Sequence, residues 1–211
     1  MRREPLPDGS AVTLNTGTTL AVTYTERSRE VKLVCGEVLV EAAADPVRLF
    51  MLDALGTHIF TDSAAFAVRV LSADQVQVMV QNGQVRVVEP FNPSKAVTLP
   101  ANTLALPSRA AGPGEAAKLL TAERIDPADV ERRLAWQRGQ LSFEDVTLDD
   151  SLQEFARYGD VRVVIDDPSI GSLKVVGLFS TSDPIGFART VAISLRLRLE
   201  MRGGVAHLKA A

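Results

Sequence analysis

Few residues in this chain are of types that carry chemistry, and their spacing scatters them. Histidine occurs twice, at His58 and His207, and cysteine once, at Cys35. A zinc or iron centre needs three or four clustered nitrogen, sulfur or oxygen ligands. Two distant histidines imply no such centre, and no cupin-type metal site. Cys35 lies in VKLVCG, where Val31, Leu33 and Cys35 share one face of a strand. With no His or Lys beside it, a buried and inert thiol is expected. Asp149–Asp150 and Asp166–Asp167 have the composition of general acid–base pairs. The first pair opens a helix and the second precedes Pro168 at a strand exit, positions where carboxylates cap and turn the backbone. Gly112 to Lys118, GPGEAAK, approaches a phosphate loop but has neither its spacing nor its closing Ser or Thr. No Ser–His–Asp or Cys–His arrangement can be drawn. The reading is of a chain with no catalytic, cofactor-binding or metal residues, an interaction module rather than an enzyme.

Composition agrees. Of 211 residues, 46% are hydrophobic and 23% charged, with a net charge of −3, which is globular and carries no electrostatic footprint for nucleic acid. No apolar run approaches the ~20 residues that cross a bilayer. Met1-Arg2-Arg3 leads into Glu4-Pro5 and not into an apolar segment, so no signal peptide is read here.

The elements that would position any site divide the chain in two. From Asp8 to about Leu106, short apolar-alternating runs such as TTLAVTYT, REVKLVCGEVLVEA and AAFAVRVL are separated by turn residues. That spacing predicts an all-β sandwich, roll or barrel. Gln81-Asn82-Gly83-Gln84 between VQVMV and VRVV predicts a tight hairpin, because Asn-Gly suits a type I′ turn. Residues 107–139 read as a linker and a connecting helix that starts at Asp126-Pro127 and stops at Gly139. From 140 to 211 the pattern changes. Strand 141–146, helix 148–158 and strand 161–165 are followed by strand 173–179, helix 184–194 and strand 195–200, with Phe155-Ala156-Arg157 recurring as Phe187-Ala188-Arg189. Two such strand–helix–strand units would bury both helices between small sheets, and Gly203-Gly204 turns the chain into a last strand. The fold class is therefore α+β. Trp136 and Tyr158 are expected to pack at the junction rather than to form a ligand platform, and Arg196 and Arg198 to lie on a solvated face.

Several spaced motifs resemble FecR-like regulators, the single-span anti-sigma regulators of bacterial iron uptake. In the first half these are Asp8-Gly9-Ser10, Leu14-Asn15 and Gly17, then Arg29, Val31, Leu33 and Gly36-Glu37. Arg48 and Phe50, Phe66, Val68 and Arg69, and Val80, Gly83, Val85 and Val87 continue the match. In the second half they are Trp136, Arg138, Gly139, Leu141, Phe143, Leu148, Arg157, Tyr158, Asp167 and Pro168. Ser63-Ala64 and Arg48-Leu49-Phe50 depart from the family's usual Gly-Thr and Arg-Pro-Phe. The resemblance implies an all-β domain over 1–106 and, over 140–211, a domain similar to the short N-terminal signalling domain of secretins and TonB-dependent transporters. It also implies a periplasmic location for this portion, excised from a protein anchored in the inner membrane. The implied partners are the signalling domain of a TonB-dependent outer-membrane siderophore transporter and, through a missing cytoplasmic segment, an extracytoplasmic-function sigma factor.

A small sheet offers partners its unpaired edge groups. Leu173, Lys174, Val175, Val176, Gly177, Leu178 and Phe179 form the nominated docking strand, with few charges and a glycine that admits a second backbone. A proline at Val175 is expected to block it. Two other classes remain open: a secretin-related assembly protein, and a β-rich module that binds cell wall or carbohydrate.

Overall fold

Among the described residues, the alternating apolar runs and the two more polar segments at either end become twelve strands between Arg2 and Arg124. They are β1 (Arg2–Pro5), β2 (Ala11–Leu14), β3 (Thr19–Tyr24), β4 (Arg29–Cys35), β5 (Glu37–Ala42), β6 (Phe50–Ala54), β7 (Thr57–Thr61), β8 (Ala64–Ser72), β9 (Gln75–Glu89), β10 (Asn92–Pro100), β11 (Thr103–Pro107) and β12 (Leu120–Arg124). The computed structural model describes residues 1–73, 75–89, 92–107, 120–160 and 162–211. Gly112 to Lys118, with its phosphate-loop likeness, lies outside them. The chain divides into two compact units, Met1–Val130 and Glu131–Ala211. β12, in the stretch read as linker, pairs with β11 in the first unit.

The twelve strands form one curled sheet, in the order β1-β2-β5-β8-β9-β7-β6-β4-β3, with β10 and β11 also on β9 and β12 on β11. β9 is the spine. Its first part pairs with β8 and β11, and its last part with β7 and β10. The hairpin expected at Asn82-Gly83 does not form; β9 runs straight through it for 15 residues. A type I′ turn needs two residues at positive φ, and here Gly83 sits at 75° while Asn82 is not among the positive-φ residues. The register against β8 slips by one residue instead, from Phe66↔Val80 to Ala65↔Asn82. That bulge flips the side-chain parity, so Val76, Val78 and Val80 before it and Val85 and Val87 after it are all buried. One strand thereby serves both layers. A Cβ on Gly83 would lie 2.7 Å from the Ser63 carbonyl oxygen, so only glycine fits the bend.

The core between the layers is valine-rich and closed around Phe50 and Phe66, whose rings meet edge-on at 6.4 Å. At its end sits a buried charge. Arg29 and Asp8 have side-chain exposures of 0% and 3% and pair at 2.8 Å. The Ser10 hydroxyl and backbone N–H donate to the same carboxylate at 2.7 and 3.0 Å, and Tyr24 donates at 3.2 Å. The guanidinium also donates to the Ala43 carbonyl at 2.8 Å and, through Nε and Nη2, to the Arg48 carbonyl at 3.0 and 2.6 Å. Burial pushes the Asp8 carboxyl up, but the Ser10 hydroxyl, Arg29 and the Ser10 N–H outweigh it and hold the group below the usual carboxylate range. Burial and the Asp8 charge push the Tyr24 phenol up.

Cys35, expected inside with Val31 and Leu33, is exposed. The β3–β4 register slips between Thr19↔Cys35 and Leu20↔Leu33, so the alternation that buries Val31 and Leu33 stops before it reaches the thiol.

In the second unit α1 (Pro127–Arg133), which straddles the division, leads to β13 (Gln140–Thr147), α2 (Leu148–Ala156), β14 (Val163–Ile165), β15 (Lys174–Ser180), α3 (Pro184–Ser194), β16 (Leu197–Arg202) and β17 (Val205–Ala210). Both strand–helix–strand repeats form. Their opening strands, β13 and β15, make one antiparallel sheet; their closing strands join β17 in the order β14-β17-β16. The core draws on both helices and both sheets, with Leu148, Phe155, Phe187 and Val191 meeting Phe143, Val175, Ala206 and Leu208. Thr147 caps α2, accepting from the Asp150 N–H at 3.1 Å and donating to its carboxylate at 2.6 Å. Asp183 caps α3 through the Gly186 N–H at 2.8 Å.

Replacing Arg29 with Met leaves Asp8 buried and unpaired, and should cost the first unit about 3–5 kcal/mol in urea unfolding. Because the Asp8 carboxyl is depressed in the folded state, its contribution is complete above about pH 4 and lost as pH falls through the folded value. Acid titration of stability should therefore show a fall below about pH 4 that shrinks in Asp8→Asn.

Candidate docking edge

β15 is built to keep one face and leave one edge. Its burial alternates, with Val175 at 3% exposure and Phe179 half-buried on one face, and Val176 at 72% and Leu178 at 55% on the other. Val175 and Phe179 face an aromatic cluster in which Phe179 and Phe187 meet at 4.9 Å, Phe155 and Phe187 at 4.7 Å, and Phe143 and Phe179 at 5.9 Å. Burial of these rings fixes the register of the strand.

That register also decides which backbone groups are free. Thr181 N–H donates to the Gly139 carbonyl at 2.9 Å, and Leu148 N–H to the Leu173 carbonyl at 2.8 Å. Hydrogen-bonded pairs alternate along an antiparallel ladder, so the pairs Phe143↔Gly177, Leu141↔Phe179 and Val146↔Val175 exchange bonds across the sheet. The amides and carbonyls of Val176 and Leu178 point the other way, as do those of Ser180, whose carbonyl accepts from the Asp183 N–H at 3.2 Å. The sheet has two strands, so that edge carries no further strand among the described residues.

The opposite edge is protected. β13 bulges between Phe143 and Val146, where Glu144 and Asp145 stand exposed and Asp145 takes a φ of 55°. Charges and bulges are devices that discourage edge pairing. β15 has neither between Val175 and Ser180.

The seven nominated residues thus play different parts. Val176 and Leu178 face out. Leu173 precedes the strand, accepting from Leu148 N–H, and Lys174 donates to the Asp145 carbonyl at 2.8 Å. Val175 is core, and a proline there would break the ladder to β13, so Val176 is the informative position. Gly177 (φ 147°) makes room for its own neighbour, since a Cβ would sit 2.9 Å from the Phe179 ring. The sequence carried no sign of that; ring packing decides it.

The residues weighed for chemistry are dispersed. Asp166 accepts from His207 at 2.8 Å, and Asp167 caps the turn Pro168–Ile170 through Ser169 N–H at 3.0 Å. His58 lies in β7, 3.9 Å from Asp53. Among the described residues no three His, Cys, Asp or Glu gather, and no helix is long and apolar enough to cross a membrane. Trp136 is buried in the turn Ala135–Arg138 with its Nε1 unpaired.

Residues 2–86 match the family described as FecR protein. Two crystal structures of a candidate anti-sigma factor from Parabacteroides distasonis, at 1.65 and 2.50 Å, share the fold. They superpose with TM-scores of 0.75 and 0.74 at 18% identity, over 100% of this chain and 94% of theirs. No curated protein matches the sequence.

Gly177→Ala should destabilise the second unit by about 1–3 kcal/mol, through a strained φ and a displaced Phe179. Thermal unfolding followed by near-ultraviolet circular dichroism, which reports on the aromatic cluster, would register it.

Proposed function

We propose that this chain, FecR-like over residues 2–86, is the signal-receiving portion of an anti-sigma factor regulator. The second unit is the receiver. It acts in the periplasm, attached to an inner-membrane protein, and docks the N-terminal signalling domain of a TonB-dependent outer-membrane transporter. The signal passes to an extracytoplasmic-function sigma factor through a cytoplasmic segment and changes transcription of iron-uptake genes. The role is regulatory, not catalytic.

The observation that carries this reading is the open edge of β15. A partner strand laid along it would take up the outward groups of Val176 and Leu178 and the Ser180 N–H, each new backbone bond adding about 0.5–1.5 kcal/mol net. Covering Val176 and Leu178 adds about 1.5–3 kcal/mol for each side chain fully buried. Together these offset the cost of association at the level of a reversible, micromolar complex, which suits a signal that must be released. The paired repeats, with two helices enclosed by a two-stranded and a three-stranded sheet, support assignment of the second unit to the short signalling-domain class of secretins and TonB-dependent transporters.

Calorimetric titration with a purified transporter signalling domain from the same organism tests the proposal. A stoichiometric complex is expected, lost on deletion of residues 140–211. Val176→Pro, which removes an outward N–H and leaves the β13 ladder intact, should weaken binding at least about tenfold. Full affinity in that variant would take the β15 edge out of the interface, and no complex with any transporter domain of the organism would remove the partner.

A further inference from the structure

The first unit has an edge of its own that nothing above accounts for. β3 ends the sheet order and, among the described residues, pairs only with β4. The other terminal strands are blunted: β1 reads RREP, β12 contains Glu123 and Arg124, and β10 reads NPSKAVTLP, with a lysine and two prolines. β3 reads TLAVTY, with no charge, no glycine and no proline. A neutral, β-favouring edge strand of this kind attracts another strand.

The side chains and the backbone groups agree on which strand fits. Thr25 N–H donates to the Ser28 carbonyl at 2.9 Å, in the same register as Thr23↔Glu30 and Ala21↔Lys32. Those pairs therefore bond inward, and the free amides and carbonyls belong to Leu20, Val22 and Tyr24. The same three residues lie on the core-facing side, opposite Leu33, Val31 and Arg29. Leu20 and Tyr24 are half-buried against the core, while Val22 remains 41% exposed. An apolar seam and a row of free hydrogen-bonding groups coincide.

We propose that this edge pairs with β3 of a second copy of the chain, antiparallel, about a two-fold axis through Val22. An axis perpendicular to the sheet keeps each face on its own side. Centred on Val22, it sets Val22 against Val22, Leu20 against Tyr24 and Tyr24 against Leu20, so all three free pairs exchange bonds. Centring on Ala21 or Thr23 uses only two of the three pairs. On the outer face Ala21 meets Thr23, and each row across the junction runs from Lys32 of one copy to Glu30 of the other, so the flanking charges are opposite in sign. The surface is complementary to itself.

Sedimentation equilibrium of the whole chain across a wide concentration range tests the pairing, with circular dichroism to show that each variant is folded. The native chain should dimerise reversibly. V22K and V22E should each raise the dimer dissociation constant by at least about tenfold, by placing like charges directly opposite, and an equal mixture of the two should recover the dimer. V22C in a C35S background should form an intermolecular disulfide under mild oxidation, since paired strand positions lie within bridging distance. A chain that is monomeric at every concentration overturns the proposal. So does a dimer that V22K and V22E leave intact, or a folded V22C variant that does not cross-link.

Discussion

A guanidinium that water cannot reach holds the first unit in its shape. Arg29 is fully buried, and a buried cation is tolerated only when paired and hydrogen-bonded. Its partners come from separate parts of the chain: Asp8 from the turn before β2, Ala43 from the end of β5, and Arg48 from the loop before β6. Satisfying one side chain therefore fixes where three segments run. Asp45 anchors the same loop. The Val47 and Arg48 N–H groups and the Arg48 side chain hold its carboxyl down at about 2. The pair specifies geometry more than it adds stability, because desolvation cancels much of the Coulomb attraction.

With the interior settled, the edges decide what each unit can do. β9 bends through both layers and spares the sheet a break at Asn82-Gly83. Among the described residues the strands left at the margins are β1, β3, β10 and β12 in the first unit, and β13, β15, β14 and β16 in the second. Charged residues blunt β1 and β12, and a bulge with two carboxylates blunts β13. β3 carries none of these, and β15 none between Val175 and Ser180, yet each is held firmly along its other side. A rigid strand with a free edge costs little conformational entropy to dock on, because its backbone is already ordered.

The carboxylates of the chain show the same commitment to the backbone. They work as caps and turns: Asp8, Asp45, Asp150, Asp167 and Asp183 each accept from nearby backbone N–H or hydroxyl groups. Groups committed to the backbone are poor acids and bases for a substrate.

Much of this was legible in residue order. Alternation located nearly all the strands, and the recurring Phe-Ala-Arg marked two matching helices, because period 2 and period 3.6 leave different signatures in any chain. The strand nominated for docking stood out as a run with few charges, though which of its residues face out did not. That depends on register, set by Phe143, Phe155, Phe179 and Phe187 closing on one another from distant parts of the chain. Asn82-Gly83 misled because the dipeptide suits a turn and a bulge alike, and only the second layer waiting beyond β9 chooses between them. Cys35 was misplaced by a one-residue slip in pairing, which no local pattern records. Sequence alone determined most of the elements, because alternation and helical period are local properties. Tertiary structure decided the partner of each edge, the occupant of the space above each glycine and the burial of Arg29, since these depend on residues brought together only when the sheet closes.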